Sequence, residues 1–243
     1  MTALLLTGCT CAMTFGGGLL ALRLEAYRAF VIAFAAGALV ASALMDVIPD
    51  ALELLTRSGA PLHHHHLMFA CSLGFLSFYL LEQVTHTPGD PHDTVTAEIG
   101  QAGVWGAAGI GVHSLLDGVA IGEAFHAGAA VGWIVALAVT VHKFADGVST
   151  VSILVTTGRS SSVAQAMLLV TALAPLVGLT LQTLVPLPLS VLALFLAWFS
   201  GVFLYLGSAA LIPAAHAASQ SRWVPAATLS GVAVVFVVSR AAA

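Results

Sequence analysis

The sequence is short of charge: Asp, Glu, Lys and Arg together make up 7% of its 243 residues. A soluble domain carries roughly 25% charged residues, so this chain cannot cover a globular surface with polar groups. With 59% hydrophobic residues it reads as an integral membrane protein. Basic residues number only seven, and no basic stripe offers itself to nucleic acid. The net charge of −4 says nothing further about such a partner. Cysteine is confined to Cys9, Cys11 and Cys71. An odd set of thiols in or beside apolar segments argues against a disulfide framework. Cys9 and Cys11 form a C-x-C that could hold a soft metal ion, but small buried thiols are the expected reading. The apolar N-terminus lacks a basic leading stretch and a clear cleavage site, so it reads as a first span. No phosphate-binding loop is present, so ATP-driven pumping by this chain alone is not expected.

What the chain does have is long apolar runs. A transmembrane helix takes about 20 such residues. Charges, prolines and polar clusters delimit eight segments: 2–22, 29–50, 67–84, 100–125, 128–157, 163–184, 190–215 and 223–239. The runs are continuously apolar, not alternating, which predicts helices and not a barrel. The expected fold is an all-α membrane protein, eight transmembrane helices in a single domain over 1–243. With the N-terminus outside, the inner loops hold Arg23, Arg28, Arg159 and Arg222. Only Arg57 and Arg240 then lie outside, so the basic residues favour both termini outside.

Two loops have the composition of metal-collecting segments. One reads LHHHHL, with His63, His64, His65 and His66; the other carries His86, Asp90, His92 and Asp93. For the second, a solvated polar linker is an equal reading.

Deep in the fourth and fifth spans a motif occurs twice. His113-Ser114-Leu115-Leu116-Asp117-Gly118 is followed by His142-Lys143-Phe144-Ala145-Asp146-Gly147. Residues four apart share a helix face, so each His projects with its Asp. An aspartate near mid-bilayer costs roughly 3 kcal/mol unless paired, hydrated or liganded. A divalent cation is the economical partner. Two imidazole nitrogens and two carboxylate oxygens suit Zn²⁺, and also Fe²⁺, Mn²⁺ or Co²⁺. Ca²⁺ and Mg²⁺ prefer an all-oxygen shell. Gly118 and Gly147, each directly after its Asp, are expected to let the two helices approach so that one ion bridges them. The alternative is that each His hydrogen-bonds its own Asp and packs quietly. Lys143 adjoins His142 and precedes Asp146 by three. Two aspartates and one lysine sum to −1. One divalent ion brings the cluster to +1 and a second to +3, which favours a single ion.

Lesser candidates flank this core. Asp46 and Asp50 end the second span, where they would pass metal inward from the histidines or serve as ordinary interface carboxylates. Ser149, one turn beyond Asp146, would line a path or bond its own helix backbone. Glu123, His126 and His216 sit near helix ends, with His126 off the face of the cluster. The tryptophans read as interfacial or packing residues.

The paired motif resembles that of the ZIP (Zrt/Irt-like protein) family of divalent-metal transporters. That family carries H-N-x-x-(D/E)-G on its fourth span and H-E-x-P-(E/H)-x or a relative on its fifth. FAAGALVASALMDVIPDA, 34–51, resembles its second span and WFSGVFLYLGSAALIPAA, 198–215, its seventh. Both share Gly and Pro twelve apart, Gly37 with Pro49 and Gly201 with Pro213, an echo that fits pseudo-symmetric halves. The resemblance implies import of a divalent transition metal, zinc first, with Fe²⁺, Mn²⁺ and Cd²⁺ as further cargo. His113, Asp117, His142 and Asp146 would hold it, and one helix group would carry the site past a scaffold group. No cofactor is implied. The partners are metal ions and the bilayer of the inner cell membrane, with a homodimer left open.

Departures from the family pattern are informative. Many prokaryotic relatives are binuclear, and the positions of their second site are Ser114, Lys143 and Ala174 here. Three ligands are gone and a cation occupies the place, so the second site is degenerate and Lys143 supplies charge balance. Asp for Glu shortens both carboxylate arms. Ala145 replaces the usual proline, which puts the kink of the fifth span in doubt. The rival class is an intramembrane zinc-dependent hydrolase; export is a third reading, since the motif carries no direction.

Overall fold

The computed structural model describes residues 1–85, 94–184 and 188–242. Its helices are α1 (Thr2–Arg23), α2 (Arg28–Ser42), α3 (Ile48–Ser58), α4 (His64–Thr85) and α5 (Thr94–Ala127). They continue with α6 (Ala129–Thr156), α7 (Ser161–Leu184), α8 (Leu189–Leu204), α9 (Ile212–Ala218) and α10 (Val224–Ala242). A π-helical turn, Ala43–Val47, joins α2 to α3 without a break, and another, Tyr205–Leu211, joins α8 to α9. The described residues therefore form eight continuous rods. Six of them, α1, α2–α3, α5, α6, α7 and α8–α9, hold segments long and apolar enough to cross a membrane. The chain is an all-α, multi-pass membrane protein.

Two boundaries change the reading of candidate residues. The second rod does not stop at Asp50 but runs on to Ser58, where Gly59 takes the left-handed conformation that ends it. Asp46 and Asp50 therefore lie within a rod and not at its end. The histidine run is not a loop, since α4 starts at His64 and three of the four histidines lie in its first turn. The segment holding His86, Asp90, His92 and Asp93 lies outside the described residues. Through Ala145, α6 is continuous, as a helix without the family's proline should be.

Proline explains both π turns. Its ring crowds the carbonyl four residues back and it has no N–H to donate. Ahead of Pro49 and Pro213 the helix widens by one residue, so that Ile48 N–H donates to Ala43 O and Ile212 N–H to Gly207 O. The rod survives, with its register shifted.

Glycine sets how closely the rods pack. At four crossings each helix presents a glycine to its neighbour's backbone, and a Cβ there would overlap the facing carbonyl oxygen. Gly17 faces Phe144 while Gly147 faces Thr14, joining α1 to α6. Gly118 faces Pro175 while Gly178 faces Leu115, joining α5 to α7. Gly37 with Gly231 and Gly74 with Gly201 do the same for α2 with α10 and α4 with α8. Such small-residue contacts are how helices associate in lipid, where burial of apolar surface gives little drive. Packing is densest within two sets: α1, α5, α6 and α7, and the rods α2–α3, α4, α8–α9 and α10.

Gly118 and Gly147 thus do not draw α5 and α6 together, as their place beside the aspartates suggested. A residue one position on is about 100° round the helix. Each glycine faces a third helix behind the ligand face.

Candidate metal centre

His113 and Asp117 come from α5, and His142 and Asp146 from α6, all four buried. One ligand atom from each lies within 4.8 Å of all the others. The sequence spacing and the helix period account for the pairing within each rod. Packing between α5 and α6 brings the pairs face to face.

Asp117 is the hub. Its Oδ2 lies 3.4 Å from His113 Nε2 and 3.5 Å from His142 Nε2. These separations are beyond an ordinary N–H···O hydrogen bond, and neither Nε2 has a hydrogen-bond partner among the described residues. A tetrahedral zinc ion holds nitrogen and oxygen at about 2.0–2.1 Å, so two of its ligand atoms stand about 3.4 Å apart. The spacing suits the edge of such a cage. Quiet packing of each His on its own Asp does not describe it. The carboxylate nearest His142 is that of Asp117 on the facing helix.

Lys143, the single lysine of the sequence, is fully buried at this centre. Its ammonium pairs with Asp117 Oδ2, lies 2.6 Å from Asp146 Oδ2 and donates to Ser114 Oγ at 2.9 Å. Ser114 and Lys143 are thus neighbours across the α5–α6 interface. Ala174 is buried on α7 beside Pro175, whose carbonyl faces Gly118. A buried carboxylate pair without a cation would be costly. The ammonium bridges the two and offsets one of their two negative charges.

The remaining candidates divide. Asp46, in the first π turn, accepts a hydrogen bond from Ser239 Oγ of α10, and its Oδ2 is buried with no partner among the described residues. Asp46 and Asp50 are both within electrostatic reach of His142 and Asp117. His63, His64 and His65, all exposed, and the half-buried His66 form a separate cluster with neighbouring ring centroids 4.5–6.2 Å apart. His65 is held below the usual histidine value, by desolvation among its neighbours and by the charges of His66, His63 and His64. Ser149 is buried, with its hydroxyl unpartnered among the described residues.

Gln182 was not anticipated. Its side-chain amide donates to Glu123 Oε1 at 3.0 Å and meets His126 Nδ1 at 2.8 Å, clamping α5 to α7 away from the centre. His216 turns back onto Ile212 O of its own helix. The cysteines are all free, and Cys9 is exposed and not buried as expected.

A multi-pass helical membrane protein with a buried His/Asp centre on two facing helices is the class that these observations define. A model described as ZIP Zinc transporter matches residues 87–239, well over half of the chain and inclusive of the whole centre. The chain belongs to the ZIP family. Over 106 residues it is 33% identical to the zinc transporter zipt-7.1 of Caenorhabditis briggsae. That match covers 42% of this chain and 27% of the relative. ZIP membership does not favour the hydrolase reading.

Proposed function

We propose that this chain is a divalent transition-metal transporter, zinc first, which moves metal toward the cytoplasm through a mononuclear intramembrane site. The observation that carries this reading is the buried set His113, Asp117, His142 and Asp146, with ligand atoms within 4.8 Å of one another. An ion arriving there sheds most of its water and exchanges it for two nitrogens and two oxygens. The carboxylates offset the charge, and the imidazoles favour zinc over calcium or magnesium.

Lys143 holds the site at −1 instead of −2 before the metal arrives and stands in for a second cation. When metal enters, the ammonium gives up the carboxylates and stays tethered through Ser114. The ion thus replaces a neutralising charge and does not enter an open anionic hole. Ser114, Lys143 and Ala174 mark the degenerate second site of a prokaryotic-type member.

All eight rods span the inner cell membrane in this reading, with both termini outside. His63 to His66 collect metal at the outer face, Asp46 and Asp50 relay it, and Ser149 lines the inner side. The equivalent π turns ahead of Pro49 and Pro213 and the paired glycine crossings support two pseudo-symmetric halves. The ligand-bearing set α1, α5, α6 and α7 moves against the other set to expose the site to each side in turn.

Equilibrium dialysis of the purified protein against zinc tests the site count. One tightly held ion per chain, lost in Asp117→Ala, is expected. Two equivalent tight ions would contradict the mononuclear reading.

A further inference from the structure

Histidines that bind metal usually donate their second ring N–H to a carboxylate or carbonyl, which fixes the ring. His113 lacks such a partner among the described residues: neither Nδ1 nor Nε2 makes a hydrogen bond. Its ring is held instead by other rings. Phe203 of α8 stands edge-on to it, with centroids 4.9 Å apart and planes at 77°. Phe199, one turn earlier on α8, lies 6.2 Å away at 46°, and the His142 ring is 5.8 Å away at 33°.

Both phenylalanines are fully buried, with 2% or less of their surface exposed. Phe199 is braced in turn by Trp198 at 5.1 Å and Phe195 at 5.3 Å. A ring in such a wall cannot change rotamer without moving its neighbours. The Phe203–His113 and Trp198–Phe199 contacts have the edge-to-face geometry that aromatic quadrupoles favour, while the others are tilted. Yet α8 supplies no ligand to the centre and belongs to the other packing set.

We infer that Phe203, backed by Phe199, is a positioning residue for His113, and that it sets the affinity and geometry of the metal site by packing where a hydrogen bond would ordinarily do so. The inference rests on the reading of His113 as a ligand. Removing the Phe203 ring frees the imidazole to turn about its bond to Cβ. Its nitrogen then samples positions away from the other three ligands, and binding weakens although every ligand is still present. Replacement by Leu restores bulk but not the flat edge, so it recovers only part of the effect.

The test uses Co²⁺ as a probe of the purified full chain, because its visible bands report coordination geometry. The wild type should give the intense bands of a four-coordinate ion, absent in His113→Ala. Phe203→Ala should shift and weaken those bands and raise the Co²⁺ dissociation constant about tenfold or more, the size of the loss when the group that holds a metal-binding histidine in place is removed. Phe203→Leu should fall between, and Phe69→Leu, which alters an exposed ring on α4, should match the wild type. Should Phe203→Ala fail to fold, Phe203→Leu decides alone. Wild-type bands and affinity in folded Phe203 variants would overturn the inference and leave His113 as a ligand. A wild type whose Co²⁺ spectrum does not depend on His113 would overturn the metal-site reading itself.

Discussion

Lys143 Nζ stands 2.6 Å from Asp146 Oδ2, one turn along the same helix, while the same ammonium pairs with Asp117 across the helix interface. The position where one expects a metal to be drawn thus already contains a covalently tethered cation.

Lys143→Met leaves two carboxylates buried without their counter-charge. Breaking a buried pair in this way costs about 3–5 kcal/mol, so the metal-free variant should melt well below the wild type in detergent. Zinc should recover part of the loss, because ligand present at 100 times its dissociation constant stabilises by about 2.7 kcal/mol. Melting curves with chelator and with zinc check this. Equal melting temperatures in chelator would show that the ammonium is not balancing the carboxylates.

Asp117 contacts both histidines and Lys143, whereas the close ion-pair contact of Asp146 is with Lys143. Asp117→Asn should therefore weaken zinc binding more than Asp146→Asn does. Titration calorimetry on the two variants ranks them, and the reverse order would remove Asp117 from its central role.

Gly118→Ala and Gly147→Ala force a methyl group into the carbonyls of Pro175 and Thr14. Overpacking of this kind costs about 1–3 kcal/mol and should lower the melting temperature. Gly8→Ala, which meets nothing within 4 Å, should not. Comparable stability of all three would mean that the crossings are looser than described.

His65 is held below the usual histidine value, so its ring keeps a free nitrogen for metal to lower pH than an ordinary histidine would. Replacing His63 to His66 with alanine should raise the zinc concentration for half-maximal uptake and leave the maximal rate unchanged. As pH falls below the usual histidine value, His65 takes up its second proton and the difference between the two proteins should narrow. A gap that persists in acid would separate the histidines from metal capture.

Much of this centre is local and could be read from the sequence. A spacing of four places His and Asp on one helical face whatever surrounds them, and apolar runs of bilayer length become helices for want of any other way to satisfy their backbone. Contacts between distant segments could not be read in that way. Nothing local joins Phe203 to His113, Ser239 to Asp46 or Gln182 to Glu123. Gly118 and Gly147 misled because adjacency in sequence is 100° of rotation on a helix. The π turns did have a signal, a proline in a run with no other reason to stop. Reading those prolines as exits placed the rod's end eight residues early, at Asp50 and not at Ser58.

Zinc uptake into proteoliposomes tests the central claim most directly, with the wild type set beside Asp117→Ala and His142→Ala at matched protein levels. The account predicts uptake by the wild type and the empty-liposome rate for both variants. Variants that transport as fast as the wild type would contradict it and make the buried His/Asp cluster a structural feature alone.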